Sequence, residues 1–142
     1  MTFKTDLIIG KLAEDLVQEK LEKYWGIKFR QTEGNFKGYD LYSPNDISVE
    51  VKMDRGFRTT NNVAIEYRYK GHKSGIKTTL ATHWVYLLGL DLWLARTSEI
   101  ISWLYNNHKD CKKVKGGDNR ESDLILLTFG QFKQIFTRID TL

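Results

Sequence analysis

The chain has 142 residues, of which 41% are hydrophobic and 13% aromatic, and its formal net charge is +4. This length suits one compact core and is too short for two ordinary domains, so we expect a single domain over residues 1–142. Because Cys111 is the only cysteine, an internal disulfide and a zinc site built on several thiolates are excluded.

Two segments bear on cellular location. The N-terminal segment has a run of only three apolar residues before Gly10 and Lys11, shorter than a secretory signal needs. The longest apolar stretch, residues 84–95, is interrupted by Asp91 and falls short of the about 20 residues that a membrane-spanning helix needs. We therefore expect no membrane partner and a cytoplasmic location.

The first predicted element is an amphipathic helix over residues 6–24, with Thr5 or Asp6 as its cap and Gly26 after its end. Its apolar residues recur at helical spacing: Ile9, Leu12, Ala13, Leu16, Val17, Leu21 and Tyr24. An extended stretch over residues 27–30 and a polar loop over residues 31–37 follow.

A β-hairpin is predicted next. Its strands are residues 39–42 and 47–53, and its turn is Ser43-Pro44-Asn45-Asp46, which contains the only proline. Further along we predict a loop over 54–62, a strand over 63–69, a loop over 70–75 and a short helix over 76–82. The remaining predictions are strands over 83–88 and 92–96 around a turn, a helix over 98–108, a surface loop over 109–122, a strand over 123–129 and a helix over 130–137.

The hairpin brings together side chains that suit phosphodiester chemistry. Antiparallel pairing around the turn places Asp40 within about one residue of Glu50 on the neighbouring strand. Glu50 and Lys52 are two residues apart and therefore point to one face, whereas Val49, Val51 and Met53 point to the other. Two carboxylates and the Val51 carbonyl would bind Mg²⁺, or Mn²⁺ in its place, and the Lys52 ammonium would orient water and stabilise developing negative charge.

The pattern resembles the PD-(D/E)XK nuclease superfamily, and in particular its phage-type or resolvase-like members. The matching residues are Gly38-Tyr39-Asp40, nine intervening residues and Glu50-Val51-Lys52, with Tyr39 where the family usually has proline. The resemblance implies an α/β (α+β) fold with a restriction-endonuclease-like core, in which a central mixed β-sheet is flanked by helices and the first helix precedes the hairpin. It also implies that Glu14, on the first helix, is an accessory catalytic residue, although an ordinary solvated glutamate is nearly as plausible there.

Three downstream segments, residues 65–67, 74–76 and 81–86, extend the resemblance to about residue 88. Glu66 would lie near the acidic pair or else be a surface carboxylate, and His83 would face the cleft or else have a structural role. Two groups of basic residues suit a phosphate backbone, although short charge runs are usually solvated loops. The nucleic-acid-binding candidates are Arg68, Lys70, Lys73, Ser74 and Lys77, and the second basic group is Lys109, Lys112, Lys113 and Lys115.

The leading hypothesis is thus a magnesium-dependent DNA nuclease of the endonuclease or resolvase type. A non-catalytic nucleic-acid-binding module on the same fold is the alternative, and an RNA-directed nuclease shares the same phosphate chemistry. Monomer and homodimer both remain open.

Overall fold

The computed structural model describes residues 3–33, 38–54 and 56–142. In these ranges the α-helices are α1 (Phe3–Trp25), α2 (Phe57–Thr60), α3 (Thr97–Asn107) and α4 (Phe129–Ile135). The strands are β1 (Arg30–Gln31), β2 (Leu41–Tyr42), β3 (Ser48–Met53), β4 (Asn62–Tyr69), β5 (His72–Lys73), β6 (His83–Leu88), β7 (Asp91–Arg96), β8 (Lys112–Gly116), β9 (Ser122–Thr128) and β10 (Thr137–Thr141).

The strands form two sheets, and the larger of them is mixed. Its order is β1-β2-β3-β6-β7-β10. Strands β3 and β6 are parallel, whereas the other neighbours in this sheet are antiparallel. The mixed α and β architecture that the sequence predicts is therefore present.

The second sheet has the order β5-β4-β9-β8 and is antiparallel. Strands β4 and β5 belong to the connection between the parallel strands β3 and β6, whereas β8 and β9 follow β7 in the chain. The hydroxyl of Tyr86, on β6, donates a 2.8 Å hydrogen bond to the Ala64 carbonyl on β4. This bond ties the second sheet to the first.

Alternating side chains of the first sheet face two different cores. On one side α1 contributes Val17 and Leu21, which pack with Val49 and Val85 and are fully buried. On the other side Trp84 and Tyr86 pack with residues of the second sheet, α3 and α4. The sequence interpretation of β3 as a strand with one apolar face and one charged face is consistent with this division.

Turn chemistry closes the hairpin between β2 and β3. The Ser43 amide donates to the Ile47 carbonyl at 2.8 Å, and the Ser43 hydroxyl accepts from the Asn45 amide at 3.2 Å. Asp46 takes the left-handed conformation, with φ of 61°, which aspartate tolerates better than most residues. These contacts set the register in which β2 and β3 pair.

Two predicted elements are wrong. Residues 109–122, predicted as a loop, contain β8, an edge strand paired with β9; the lysines that suggested a loop are the exposed charges common on edge strands. The helix predicted over 76–82 is a single 3₁₀ turn, Gly75–Lys77. The helix does not continue because the next amides bond elsewhere: the Leu80 amide donates to the Gly38 carbonyl at 3.1 Å, and the Thr82 amide donates to the Ser48 carbonyl at 3.0 Å.

Other boundaries also differ from the predictions. Helix α1 begins at Phe3, before the predicted cap at Thr5 or Asp6, and the loop over 54–62 contains the four-residue helix α2. The C-terminal strand β10, which pairs with β7, was not predicted. Most of the polar loop 31–37 lies outside the described residues.

None of the described helices is long and apolar enough to cross a membrane.

Candidate active site

Asp40 and Glu50 meet across the hairpin. The pairing of Leu41 with Val49 places Asp40, which precedes Leu41, within about one residue of Glu50, which follows Val49, as the sequence predicts. The Asp40 amide donates to the Val49 carbonyl at 2.9 Å, and the Asp40 carboxylate accepts from the Val51 amide at 2.7 Å. Backbone contacts thus hold this carboxylate beside the second acidic residue.

The Val51 carbonyl belongs to the same edge of β3. In a strand, the amide and carbonyl of one residue point to the same side. Because the Val51 amide points to Asp40, the Val51 carbonyl is directed to the edge where that carboxylate lies. A third oxygen ligand is therefore available near the acidic pair.

Glu50 and Lys52 share the opposite face of β3 from Val49. The Lys52 Nζ atom lies 3.2 Å from Glu50 Oε1, with 38% of the lysine side chain and 17% of the glutamate side chain exposed. Nζ also lies 5.6 Å from the centroid of the Trp84 ring, on the neighbouring parallel strand. The ammonium is therefore held between a carboxylate and an aromatic face, with part of it open to solvent.

Glu14 reaches the same region from α1. It lies on the helix face of Gly10, Val17 and Leu21, which packs on the sheet; a Cβ on Gly10 would approach Met53 at 3.8 Å. Burial and the charge of Asp40 raise the pKa of Glu14. Glu14, the candidate accessory residue, is therefore close enough for electrostatic interaction with the acidic pair.

Glu66 enters the cleft from the second sheet. Its Oε2 accepts from the Ser74 hydroxyl at 2.9 Å, and its Oε1 accepts from the Ser122 hydroxyl at 2.7 Å. A Cβ on Gly75, whose φ is 55°, would lie 2.1 Å from the Glu66 carbonyl oxygen. Only glycine therefore allows the 3₁₀ turn to approach β4 this closely.

Asp40, Glu50, Lys52 and Glu66 line one cleft of about 320 Å³, whereas Glu14 is not among its lining residues. Its lining contains Asp40, Glu50, Lys52, Glu66, Tyr69, Ser74, Gly75, Thr78, Thr79 and Trp84. A second, larger hollow of about 710 Å³ shares Lys52 and Glu66 with it. The acidic cleft, as we call the first, therefore opens into a wider depression between the two sheets.

Burial controls the ionisation of the acidic pair. It raises the pKa of Asp40, an effect opposed by the hydrogen bond from the Val51 amide and by the charge of Lys52. It also raises the pKa of Glu50, where Lys52 opposes the shift and the charges of Asp40 and Glu14 add to it. The negative charges in this cleft are thus less stable than in water, and a cation would relieve them.

The donor set fits a hard divalent cation. In the part of the chain that the structure describes, no group of three or more His, Cys, Asp or Glu side chains is placed to hold a metal ion. Magnesium, however, needs only one or two carboxylates, since it keeps several waters. Asp40, Glu50 and the Val51 carbonyl satisfy that requirement, and their chemistry favours Mg²⁺ or Mn²⁺ over a soft metal.

The predicted nucleic-acid-binding residues divide between two places. Ser74 lines the acidic cleft, whereas Arg68, Lys73 and Lys77 line a neighbouring groove. Lys70 lies in the turn between β4 and β5 and pairs with Glu121 at 3.6 Å. They are therefore not a single patch around the acidic pair.

His83 lies outside the acidic cleft. Its partner on β3 is Val49, one residue before Glu50, so its side chain is on the face that packs against α1. Its ring lies 5.1 Å from the Trp25 ring, and Nδ1 is 2.8 Å from the Thr82 hydroxyl. Burial and the charge of Arg96 lower its pKa, so the neutral imidazole has a structural role here.

Sequence analysis missed several residues of the cleft. Trp84 is 1% exposed and belongs to the core, yet its ring also faces Lys52. Ser122, Thr78 and Thr79 carry no local pattern that would indicate a site. Only the pairing of β4 with β9, which is remote in sequence, brings Ser122 to Glu66.

Neither the protein-family models nor the curated proteins compared with this chain match it. The fold and the site therefore define this chain only as an α+β protein whose acidic cleft is lined by one lysine.

Proposed function

We propose that the protein is a magnesium-dependent nuclease that hydrolyses phosphodiester bonds in DNA, with Asp40, Glu50 and Lys52 as its catalytic centre. The observation that carries the proposal is the meeting of three groups on adjoining strands. The two acidic residues adjoin the paired residues Leu41 and Val49 of the hairpin and line one cleft, and the lysine ammonium lies 3.2 Å from one of them. The restriction-endonuclease-like core implied by the sequence resemblance is part of the same proposal.

Each residue has a chemical task in this centre. Asp40, Glu50 and the Val51 carbonyl would hold Mg²⁺ or Mn²⁺, which offsets charge on the phosphate and lowers the pKa of the attacking water. Lys52 would donate hydrogen bonds to the attacking water and to the phosphate oxygens, whose negative charge increases in the transition state. The indole of Trp84 and the carboxylate of Glu50 restrict the ammonium to this position.

Glu14 and Glu66 support the centre from two sides. The charge of Glu14 acts on Glu50, the charge of Asp40 acts on Glu14, and the negative charge of Glu14 would increase the attraction for a cation. Glu66, whose two oxygens accept from serine hydroxyls, would align the wall along which the substrate strand lies. Both are positioning residues in this proposal.

The test is a panel of supercoiled, linear, single-stranded, flapped and four-way-branched DNA, each incubated with Mg²⁺, Mn²⁺ or a chelator. We expect cleavage of at least one form with either metal and none with the chelator. Absence of cleavage from every form, together with salt-sensitive binding, would instead favour the non-catalytic binding module. A matched single-stranded RNA in the panel tests the RNA-directed alternative.

Assembly and location belong to the same proposal. Small nucleases that cut both strands of a duplex commonly act as pairs, so a homodimer is expected if duplex DNA is cut on both strands. The cytoplasm, where DNA and millimolar Mg²⁺ coexist, is the compartment in which such an activity would operate. Sedimentation of the protein with and without a duplex oligonucleotide measures the assembly.

A further inference from the structure

A third hollow is lined, like the acidic cleft, by residues of β4. It has a volume of about 680 Å³ and is bounded by α3, β4, β8 and the 3₁₀ turn at Gly75–Lys77. Its floor is apolar, with Ile76, Leu104 and Ile125. We call it the basic groove, because Arg68, Lys73, Lys77 and Lys113 lie along it.

Helix α3 supplies one aromatic wall of the basic groove. Ile101, Leu104 and Tyr105 recur at the spacing of one helix face, and His108 follows directly after the end of α3. Tyr105 is 83% exposed and Ile101 is 49% exposed. Large apolar side chains are thus left in water where a ligand would cover them.

The opposite wall combines a second tyrosine with cations. The Arg68 guanidinium lies 5.4 Å from the Tyr67 ring centroid, and Lys77 Nζ lies 5.3 Å from it. Arg68 also pairs with Asp123 at 3.5 Å, but none of the described residues that line the groove is acidic. The groove is therefore suited to an occupant with negative charge and flat apolar groups.

The basic groove and the acidic cleft share a wall. Along β4, Glu66 and Tyr69 line the cleft, whereas Tyr67 and Arg68 line the groove. In the following segment Ser74 and Gly75 belong to the cleft, and Lys73, Ile76 and Lys77 belong to the groove. A bound polymer could therefore extend from the acidic cleft into the basic groove across these few residues.

We propose that the basic groove binds unpaired nucleotides of the DNA strand that the acidic cleft cuts, with bases against Tyr105 and Tyr67 and phosphates beside Lys73, Lys77 and Lys113. This inference rests on the proposed nuclease function and names its substrate class, DNA with a single-stranded segment next to the scissile bond. Single strands expose both a charged backbone and stackable bases, which aromatic and basic side chains bind together. An intact duplex offers only its phosphates to such a surface, since its bases are stacked inside.

The test measures binding without chemistry. Fluorescence anisotropy in chelator compares a labelled single-stranded oligonucleotide with its duplex, for the wild type, Tyr105→Ala, Tyr105→Phe and a control, Tyr24→Ala. Tyr24 is another exposed tyrosine, with 54% exposure; it lies on α1 and does not line the groove. We expect the single strand to bind more tightly than the duplex, with affinity reduced about tenfold in Tyr105→Ala and kept in Tyr105→Phe and Tyr24→Ala.

Charge is tested separately. Lys77→Gln should weaken single-strand binding and make the dependence of log K on log salt shallower by about 0.7, the release expected for one phosphate contact on a single strand. A polyglutamate peptide of equal charge should compete poorly. Equal competition by this peptide would indicate an acidic protein partner and would overturn the proposal.

The remaining outcomes separate the two proposals. Equal affinity for duplex and single strand, or equal effects of Tyr105→Ala and Tyr24→Ala, would overturn the groove assignment even if DNA is cut. Tight single-strand binding that depends on Tyr105, with no cleavage of any DNA in Mg²⁺ or Mn²⁺, would overturn the nuclease function and leave the groove as a binding site.

Discussion

The Asp40 carboxylate accepts a 2.7 Å hydrogen bond from the amide of Val51, the residue next to Glu50 on the paired strand. The backbone of the hairpin therefore holds the Asp40 carboxylate beside β3. A cation that binds both Asp40 and Glu50 would cost little ordering entropy, because one ligand is already held in place. The same preorganisation requires that two carboxylates share a half-buried cleft, which disfavours their ionised forms.

Stability should consequently depend on pH through Glu50. Burial raises its pKa above the ordinary 4.5, so the folded state holds the proton more tightly than the unfolded chain. The stability that this proton provides is present below pH 4.5 and is lost as pH rises through the raised value. Without divalent cations, Glu50→Gln should therefore be more stable than the wild type at neutral pH and lose this advantage in acid.

Urea unfolding in chelator, from about pH 4 to about pH 8, measures this difference. Asp46→Asn, an exposed change at the tip of the same hairpin, is the control and should give no pH-dependent gain. A Glu50→Gln protein that is less stable than the wild type at neutral pH would contradict the assignment of a raised pKa.

Lys52→Gln should lower the cleavage rate at saturating metal by about 100-fold or more, as loss of one transition-state donor does in other enzymes. It should also raise the pKa of Glu50 further, because the charge of Lys52 now lowers that pKa. Metal binding would then weaken at mildly acidic pH. Single-turnover kinetics and Mn²⁺ titration measure the two effects, with the exposed Lys23→Gln as control; full activity of Lys52→Gln would remove the proposed mechanism.

Glu14→Gln should increase the Mg²⁺ concentration needed for half-maximal cleavage by several-fold and change the rate at saturating Mg²⁺ much less. The reason is that the charge of Glu14 acts on Glu50 and would attract a cation to the cleft, whereas Asp40, Glu50 and Lys52 remain in this variant. Glu19→Gln, an exposed change on the same helix, should leave the metal dependence unchanged. If both variants behave alike, Glu14 is an ordinary helix glutamate.

Gly75→Ala should destabilise the protein more than Gly71→Ala. Both glycines have a positive φ, which costs an alanine about 1–2 kcal/mol. A Cβ at Gly71 would meet nothing within 4 Å, whereas one at Gly75 would lie 2.1 Å from the Glu66 carbonyl. Urea titration should therefore give a lower free energy of unfolding for Gly75→Ala than for Gly71→Ala. Gly75→Ala should also reduce cleavage. Equal destabilisation by the two substitutions would mean that the 3₁₀ turn can move away from β4 freely.

The local part of the site was predictable from sequence. A proline-containing turn determines the hairpin, and the hairpin determines that Asp40 faces Glu50, so that the first sheet near β3 follows from residues 39–53. Strand alternation likewise assigns Glu50 and Lys52 to one face. In each case neighbouring residues carry the information.

The second sheet was not predictable in the same way. Its strands β4 and β9 are far apart in the chain, and β8 is a lysine-rich edge strand whose local sequence resembles a loop. The environment of Glu66 depends on this pairing, because Ser122 comes from β9. His83 shows a related limit: its face is determined by the register of β6 against β3, which no local pattern reveals.

The most direct test of the central claim compares Asp40→Asn with Asp46→Asn in a cleavage assay with Mg²⁺, on whichever DNA form the wild type cuts. Asparagine at position 40 keeps an oxygen that can accept from the Val51 amide, so the fold should persist while a charged metal ligand is lost. The account predicts a rate at least about 100-fold lower for Asp40→Asn and an unchanged rate for Asp46→Asn. Wild-type cleavage by folded Asp40→Asn would contradict it.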